Sequence, residues 1–230
     1  IALVGYTNAG KSTLFNRLSH STVFEHDMLF ATLDPTMRGV RLPDGQDVIL
    51  SDTVGFISDL PTQLVAAFRA TLEEVQEADI IVHVRDVSHP DSEAQKQDVE
   101  QVLRELDVGA AVEEGLVEAL NKIDKLSPEQ RKVVEQQAAR DPDKVPVSAQ
   151  TGEGAEALGR TIEARLSVGF RCVDVHVPLE DGRALAWLYD RGHVMDRRDD
   201  ERHAHLKVNL DPADVERFQH RHGDHIRVDR

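Results

Sequence analysis

Along residues 1–168 short apolar runs alternate with segments whose apolar positions recur every three or four residues. The runs at 1–5, 37–42, 47–51, 79–84, 116–120 and 145–147 read as six strands. Pro43-Asp44-Gly45 joins the second and third of them with residues suited to a hairpin turn. Helical spacing marks 11–19, 64–75, 92–106, 128–139 and 155–166. In 64–75 Leu64, Ala67, Phe68, Thr71, Leu72 and Val75 share one face; in 92–106 the stripe is Val99, Val102, Leu103 and Leu106. Only Glu118 interrupts the apolar run at 116–120. Strands alternating with helices predict an α/β fold with a mostly parallel six-stranded sheet flanked by helices.

The rhythm changes after Gly169. Residues 171–177 alternate as a strand, 180–189 as a helix, and 194–197 and 204–210 as two strands around a charged turn at 198–202. Asp211 caps a helix that begins at Pro212 and runs to about His220. The order βαββα predicts a small α+β domain at 169–230, following a first domain at 1–168. Trp187 and Leu188 read as core of its helix rather than as a stacking platform.

Four motifs sit where this pattern places strand ends. Gly5-Tyr6-Thr7-Asn8-Ala9-Gly10-Lys11-Ser12 fits G-x-x-x-x-G-K-[ST], follows a strand and, with Thr13, opens a helix. Its glycines let backbone N–H groups wrap phosphates, Lys11 supplies charge to the β- and γ-phosphates, and Ser12 offers a hydroxyl to Mg²⁺. Asp52-Thr53-Val54-Gly55 follows the third strand; the aspartate is placed to hold Mg²⁺ through water and the Gly55 N–H to sense the γ-phosphate. Asn121-Lys122-Ile123-Asp124 follows the fifth strand. The Asp124 carboxylate is suited to accept N1–H and N2–H of guanine, which adenine does not offer together. Lys122 is expected to cover the base and Asn121 to brace the phosphate loop. Ser148-Ala149 completes the order, with a backbone N–H expected at guanine O6. Taken together, the four motifs specify a guanine nucleotide.

Composition narrows the partners. Net charge is −15; residues 171–230 hold 11 Lys/Arg against 13 Asp/Glu, about −2, leaving about −13 for residues 1–170. That balance argues against broad adhesion of the first part to nucleic acid and leaves the second as the better candidate for RNA. No apolar run approaches the ~20 residues of a membrane span. The single Cys172 excludes an intrachain disulfide and suits a reducing, cytoplasmic compartment. The chain opens at Ile1 in an apolar run leading directly into the glycine-rich loop, which reads as a piece of a longer protein.

The order GYTNAGKS, DTVG, NKID, SA resembles the translation-factor class of P-loop GTPases. Phe30-Ala31-Thr32-Leu33-Asp34-Pro35-Thr36, the run DTVGFISDLPTQLVAAFRATLEE at 52–74 and Asp86-Val87-Ser88-His89-Pro90 are similar to the HflX family. The resemblance covers 1–168 closely and 170–230 in length and element order only; the family's N-terminal domain is missing. It implies a P-loop GTPase fold and a monomeric, cytoplasmic, ribosome-associated enzyme. Such an enzyme binds the large subunit in its GTP state and helps split or rescue stalled ribosomes. Thr32 and Thr36 both have the hydroxyl that a switch needs for Mg²⁺, and the family pattern F-A-T-L-D puts that role on Thr32.

Where many small GTPases carry a water-orienting glutamine after D-x-x-G, this chain has Phe56. The catalytic group then comes from elsewhere, or the chain is a GTP-dependent assembly module with negligible turnover and a protein or RNA partner. Asn8 is one candidate source, because potassium-activated GTPases carry asparagine there to hold K⁺ against the phosphates. His203, His205, His220, His222 and His225 include the metal-compatible spacing H-x-H, but lie beside Arg217 and Arg221 without cysteine support, and read as a solvated polar surface.

Overall fold

The computed structural model describes residues 1–19, 36–43, 45–53, 55, 74–105, 116–222 and 226–227. They divide into two compact units. One comprises Ile1–Pro43 and Asp47–Leu166; the other comprises Ser167–Arg230 with the short turn before Asp47.

The first unit is a six-stranded sheet. Its strands are β1 (Ala2–Val4), β2 (Thr36–Arg41), β3 (Asp47–Asp52), β4 (Ile81–Asp86), β5 (Val117–Asn121) and β6 (Lys144–Pro146), in the order β2-β3-β1-β4-β5-β6. The β1–β3, β1–β4, β4–β5 and β5–β6 pairs are parallel. β2 and β3 run antiparallel from Thr36↔Asp52 to Arg41↔Asp47, the register a hairpin requires, although Asp44 of its turn lies outside the described residues. The helices are α1 (Lys11–Leu18), α2 (Ser92–Glu105), α3 (Pro128–Ala138) and α4 (Ala155–Leu166). A capping box closes the start of α3, with Ser127 and Gln130 exchanging bonds and Pro128 at the first helical position. Of the helix expected over 64–75, only 74 and 75 lie among the described residues.

The central strands β1, β4 and β5 are buried on both faces and mostly apolar there, because both faces are covered. Leu3, Val82, Val84, Ala119 and Val145 pack with Leu14 and Phe15 of α1 and Leu158 and Ile162 of α4. Ala2, Val4 and Ile81 face the other way, against Val75 and against Val99 and Leu103 of α2. Glu118 is buried within β5 and accepts from Arg85 at 2.5 Å and Lys96 at 2.7 Å. Two cations therefore meet the charge that the apolar pattern lacked. The strand order turns back on either side of β1, so the loops after the parallel strands converge at one end of the sheet.

The second unit contains β7 (Arg171–Pro178), α5 (Gly182–Arg191), β8 (His193–Asp199), β9 (His203–Leu210), α6 (Pro212–His222) and β10 (Ile226–Arg227). It exceeds the expected βαββα by that last strand, and its antiparallel sheet has the order β10-β7-β9-β8. The inward positions Val173, Val175, Val177, Leu206, Val208 and Leu210 pack on Ala184 and Leu188 of α5 and Val215 and Phe218 of α6. Leu188 is core, while Trp187 is partly buried and rests on the Phe218 ring. His203 and His205 both face Asp200, at 3.9 and 2.7 Å, and His205 Nδ1 also meets His176 Nδ1 at 2.5 Å. Among the described residues no group of three or more His, Cys, Asp or Glu is arranged to hold a metal, and no helix is long and apolar enough to cross a membrane. His225 lies outside them.

Candidate nucleotide site

The glycine-rich loop leaves β1 at Gly5 and enters α1 through Gly10, whose φ of 96° favours glycine. A Cβ on Gly10 would sit 2.3 Å from Asn121 Nδ2, so the contact with the NKID loop requires its absence. Lys11 is buried, and its ammonium donates to the carbonyls of Gly5 and Tyr6 at 3.2 Å each. Burial pushes the Lys11 pKa down to about 8, with the Asp52 charge opposing. The Ser12 hydroxyl donates to Asp52 Oδ2 at 2.7 Å. Thr53 turns inward instead, its hydroxyl donating to the Leu3 carbonyl at 2.6 Å, which fixes the end of β3 against β1. A Cβ on Gly55 would lie 2.8 Å from Thr7 Cα and 3.1 Å from Lys11 Nζ. The DTVG loop thus closes onto the phosphate loop to a distance that only glycine allows.

Asn121 ties three segments together. Its Nδ2 donates to the Ala9 carbonyl at 2.8 Å, and its Oδ1 accepts from the Ala149 N–H at 2.9 Å. Lys122 has φ of 69°, and its ammonium donates to the Asn8 carbonyl at 2.7 Å and to Asp86 Oδ2 at 2.6 Å. Burial pushes the Asp86 carboxyl up, but the bonds from Lys122 and Ser88 outweigh it, and its pKa lies below the ordinary value. Ile123 is buried beneath the loop, while Asp124 is exposed and accepts from the Ser148 hydroxyl at 2.6 Å. Asn8 is exposed with φ of 57°.

All four motifs therefore stand at one end of the sheet. Thr32, with Phe30, Ala31, Leu33 and Asp34, lies outside the described residues, as do Val54 and Phe56; Thr36 opens β2. Sequence reasoning missed two partners. Asp86 is the counter-charge of Lys122, and Arg17 of α1 donates to the carbonyls of Ala149 at 3.2 Å and Gln150 at 2.6 Å. The donors suit Mg²⁺: a hydroxyl and a carboxylate, both hard oxygen ligands, lie 2.7 Å apart beside a buried ammonium.

Residues 1–122 match the family described as 50S ribosome-binding GTPase, and 133–230 match the HflX C-terminal domain. The chain belongs to the HflX family of GTPases. It is 49% identical over 219 residues to the GTPase HflX of Magnetococcus marinus, an alignment covering 95% of this chain and 49% of that protein. Identity to the GTPase HflX of Escherichia coli is 41% over 189 residues, covering 82% and 43%. The chain thus spans about half the length of the HflX relatives it matches. The GDP complex of a GTP-binding protein from Sulfolobus solfataricus shares 28% identity with a TM-score of 0.56, covering 73% of this chain and 52% of that one. The HflX C-terminal match begins within α3, earlier than the division of the two compact units at Leu166.

Proposed function

We propose that this HflX-family chain binds GTP with Mg²⁺, hydrolyses it, and in the GTP state engages the large ribosomal subunit to help split or rescue stalled ribosomes. The observation carrying the nucleotide reading is the convergence of buried Lys11, the Ser12–Asp52 pair and the Asn121 brace at one sheet end. The ribosome part rests on the family description and the resemblance. Mg²⁺ would be held by Ser12, by Thr32 and, through water, by Asp52; when bound it neutralises charge on the β- and γ-phosphates. Lys11 adds its charge to the same oxygens. Gly55, through its backbone N–H, would sense the γ-phosphate.

Phosphate release from GTP, with and without large subunits, tests the enzyme. Co-sedimentation with isolated subunits in GTP, GDP and no nucleotide tests the partner. Turnover that rises with large subunits, and sedimentation favoured by GTP, are the expected results. Nucleotide-dependent sedimentation with no turnover would favour the assembly module instead. Potassium is tested alongside. If K⁺ held near Asn8 supplies the missing charge, exchanging NaCl for KCl at fixed ionic strength should raise turnover, and Asn8→Ala should abolish the difference. Equal rates in the two salts would overturn the role of K⁺.

A further inference from the structure

The loop from Ser148 to Glu153 is short of free donors. The N–H of Ser148 bonds to the Glu153 carbonyl at 2.9 Å, that of Ala149 to Asn121 Oδ1 at 2.9 Å, and that of Thr151 to the Ser148 hydroxyl at 3.1 Å. The N–H of Gly152 bonds to the Ser148 carbonyl at 2.8 Å, and that of Glu153 to Thr151 Oγ1 at 3.3 Å. Only the Gln150 N–H has no partner among the described residues. The N–H groups of Ser148 and Ala149, one of them expected at guanine O6, are committed to Glu153 and Asn121. The amide able to meet an incoming acceptor on this loop is one residue further on.

Its direction is set from α1. The Arg17 fork donates through Nε to the Ala149 carbonyl at 3.2 Å and through Nη2 to the Gln150 carbonyl at 2.6 Å. The peptide joining Ala149 to Gln150 is trans, since the described chain has no cis bond. In a trans peptide the C=O and the following N–H point opposite ways. Holding the Ala149 oxygen toward Arg17 therefore turns the Gln150 N–H away from α1. A planar guanidinium can hold two successive carbonyls at once, whereas an ammonium is a point donor without that fixed fork. Gly152 packs beside it, where even a Cβ would make only ordinary contact with Arg17 side-chain atoms at 3.6 Å; it is the φ of 89° that favours glycine there.

We propose that Arg17 is a specificity-positioning residue: by pinning the Ala149 and Gln150 carbonyls it presents the Gln150 N–H to the 6-oxo group of a guanine base. This rests on the guanine-nucleotide reading of Asp124. The test compares GDP with 6-thio-GDP by calorimetry. The analogue replaces O6 by sulfur, a weak acceptor, and keeps N1–H, the 2-amino group, ribose and diphosphate. The unsubstituted protein should prefer GDP by about fivefold to tenfold, the range of one neutral hydrogen bond. Arg17→Ala should weaken GDP about fivefold, leave 6-thio-GDP within about twofold, and so collapse the preference. Arg17→Lys should fall between. Equal weakening of both ligands would make Arg17 merely structural and overturn the proposal, as would an unchanged preference or an unsubstituted protein indifferent to sulfur. Failure of the unsubstituted protein to bind GDP at all would strike the guanine reading itself. Should Arg17→Ala fail to fold, Arg17→Gln, which keeps one donor, carries the same comparison.

Discussion

At the scale of single residues, the proposed chemistry depends on two charges in contrasting surroundings. Asp124 is exposed and anchored by one hydroxyl, so its carboxylate is free to meet a base. Asp124→Asn should weaken GDP binding on the order of a hundredfold, because two charge-assisted bonds are lost, and should improve binding of xanthosine diphosphate. Unchanged GDP affinity in calorimetry would refute the assignment. Lys11 is buried, with a pKa near 8, and binding of a polyanion favours its charged form. Nucleotide binding should therefore take up a proton above that value. Affinity for GDP should fall roughly fourfold between pH 7 and pH 8.5. Lys11→Arg, which stays charged throughout, should show no such slope. Lys11, Ser12, Asp52, Asn121 and Asp124 were legible in the sequence because each stands at a fixed spacing beside a strand. Arg17 was not, and Asp86 stood out only as part of a family-like segment, without its pairing to Lys122. Arg17 reaches Ala149 across 132 residues of chain, and Asp86 meets Lys122 across 36, so only the fold reveals either pairing.

At the scale of elements, β5 shows how an apolar pattern tolerates a charge. Glu118 and Arg85 lie on neighbouring strands, both nearly inaccessible, and Lys96 reaches them from α2. Glu118→Ala would leave the nearly buried Arg85 guanidinium with only the exposed Glu93 as its anion, and Lys96 without its closest one, and denaturant unfolding should show a loss of up to about 3 kcal/mol. Burial pushes the Glu118 carboxyl up, but Lys96 and Arg85 outweigh it and its pKa ends below 4.5. Its contribution should therefore be present above that pH and vanish as pH falls through the lowered value, a slope absent from Glu118→Ala. Among the described residues, strands and helices with long apolar patterns were legible to within about two residues. β10 was not, because two residues carry no periodicity and the strand exists only through its pairing with β7.

At the scale of the whole molecule, the buried clusters do not mix. Leu3, Val82, Leu158 and their neighbours belong to the first unit, whereas Val175, Leu206 and Phe218 belong to the second. Each unit thus has a core of its own, and residues 1–166 should fold and bind GDP within about twofold of the complete chain. Loss of nucleotide binding on removing 167–230 would contradict this. The same truncation should change co-sedimentation with large subunits, and equal sedimentation would remove the second unit from the proposed partner contact. Inside that unit β10 lies antiparallel against β7, with Arg227 opposite Asp174. Arg227, the last described residue of that sheet, therefore lies close to the start of β7. A sheet whose first and last described strands are neighbours can be spliced into a loop of an unrelated scaffold, or rejoined by a short bridge and reopened elsewhere, without stretching its frame. Transplanted that way, the small unit could be tested against large subunits free of any nucleotide.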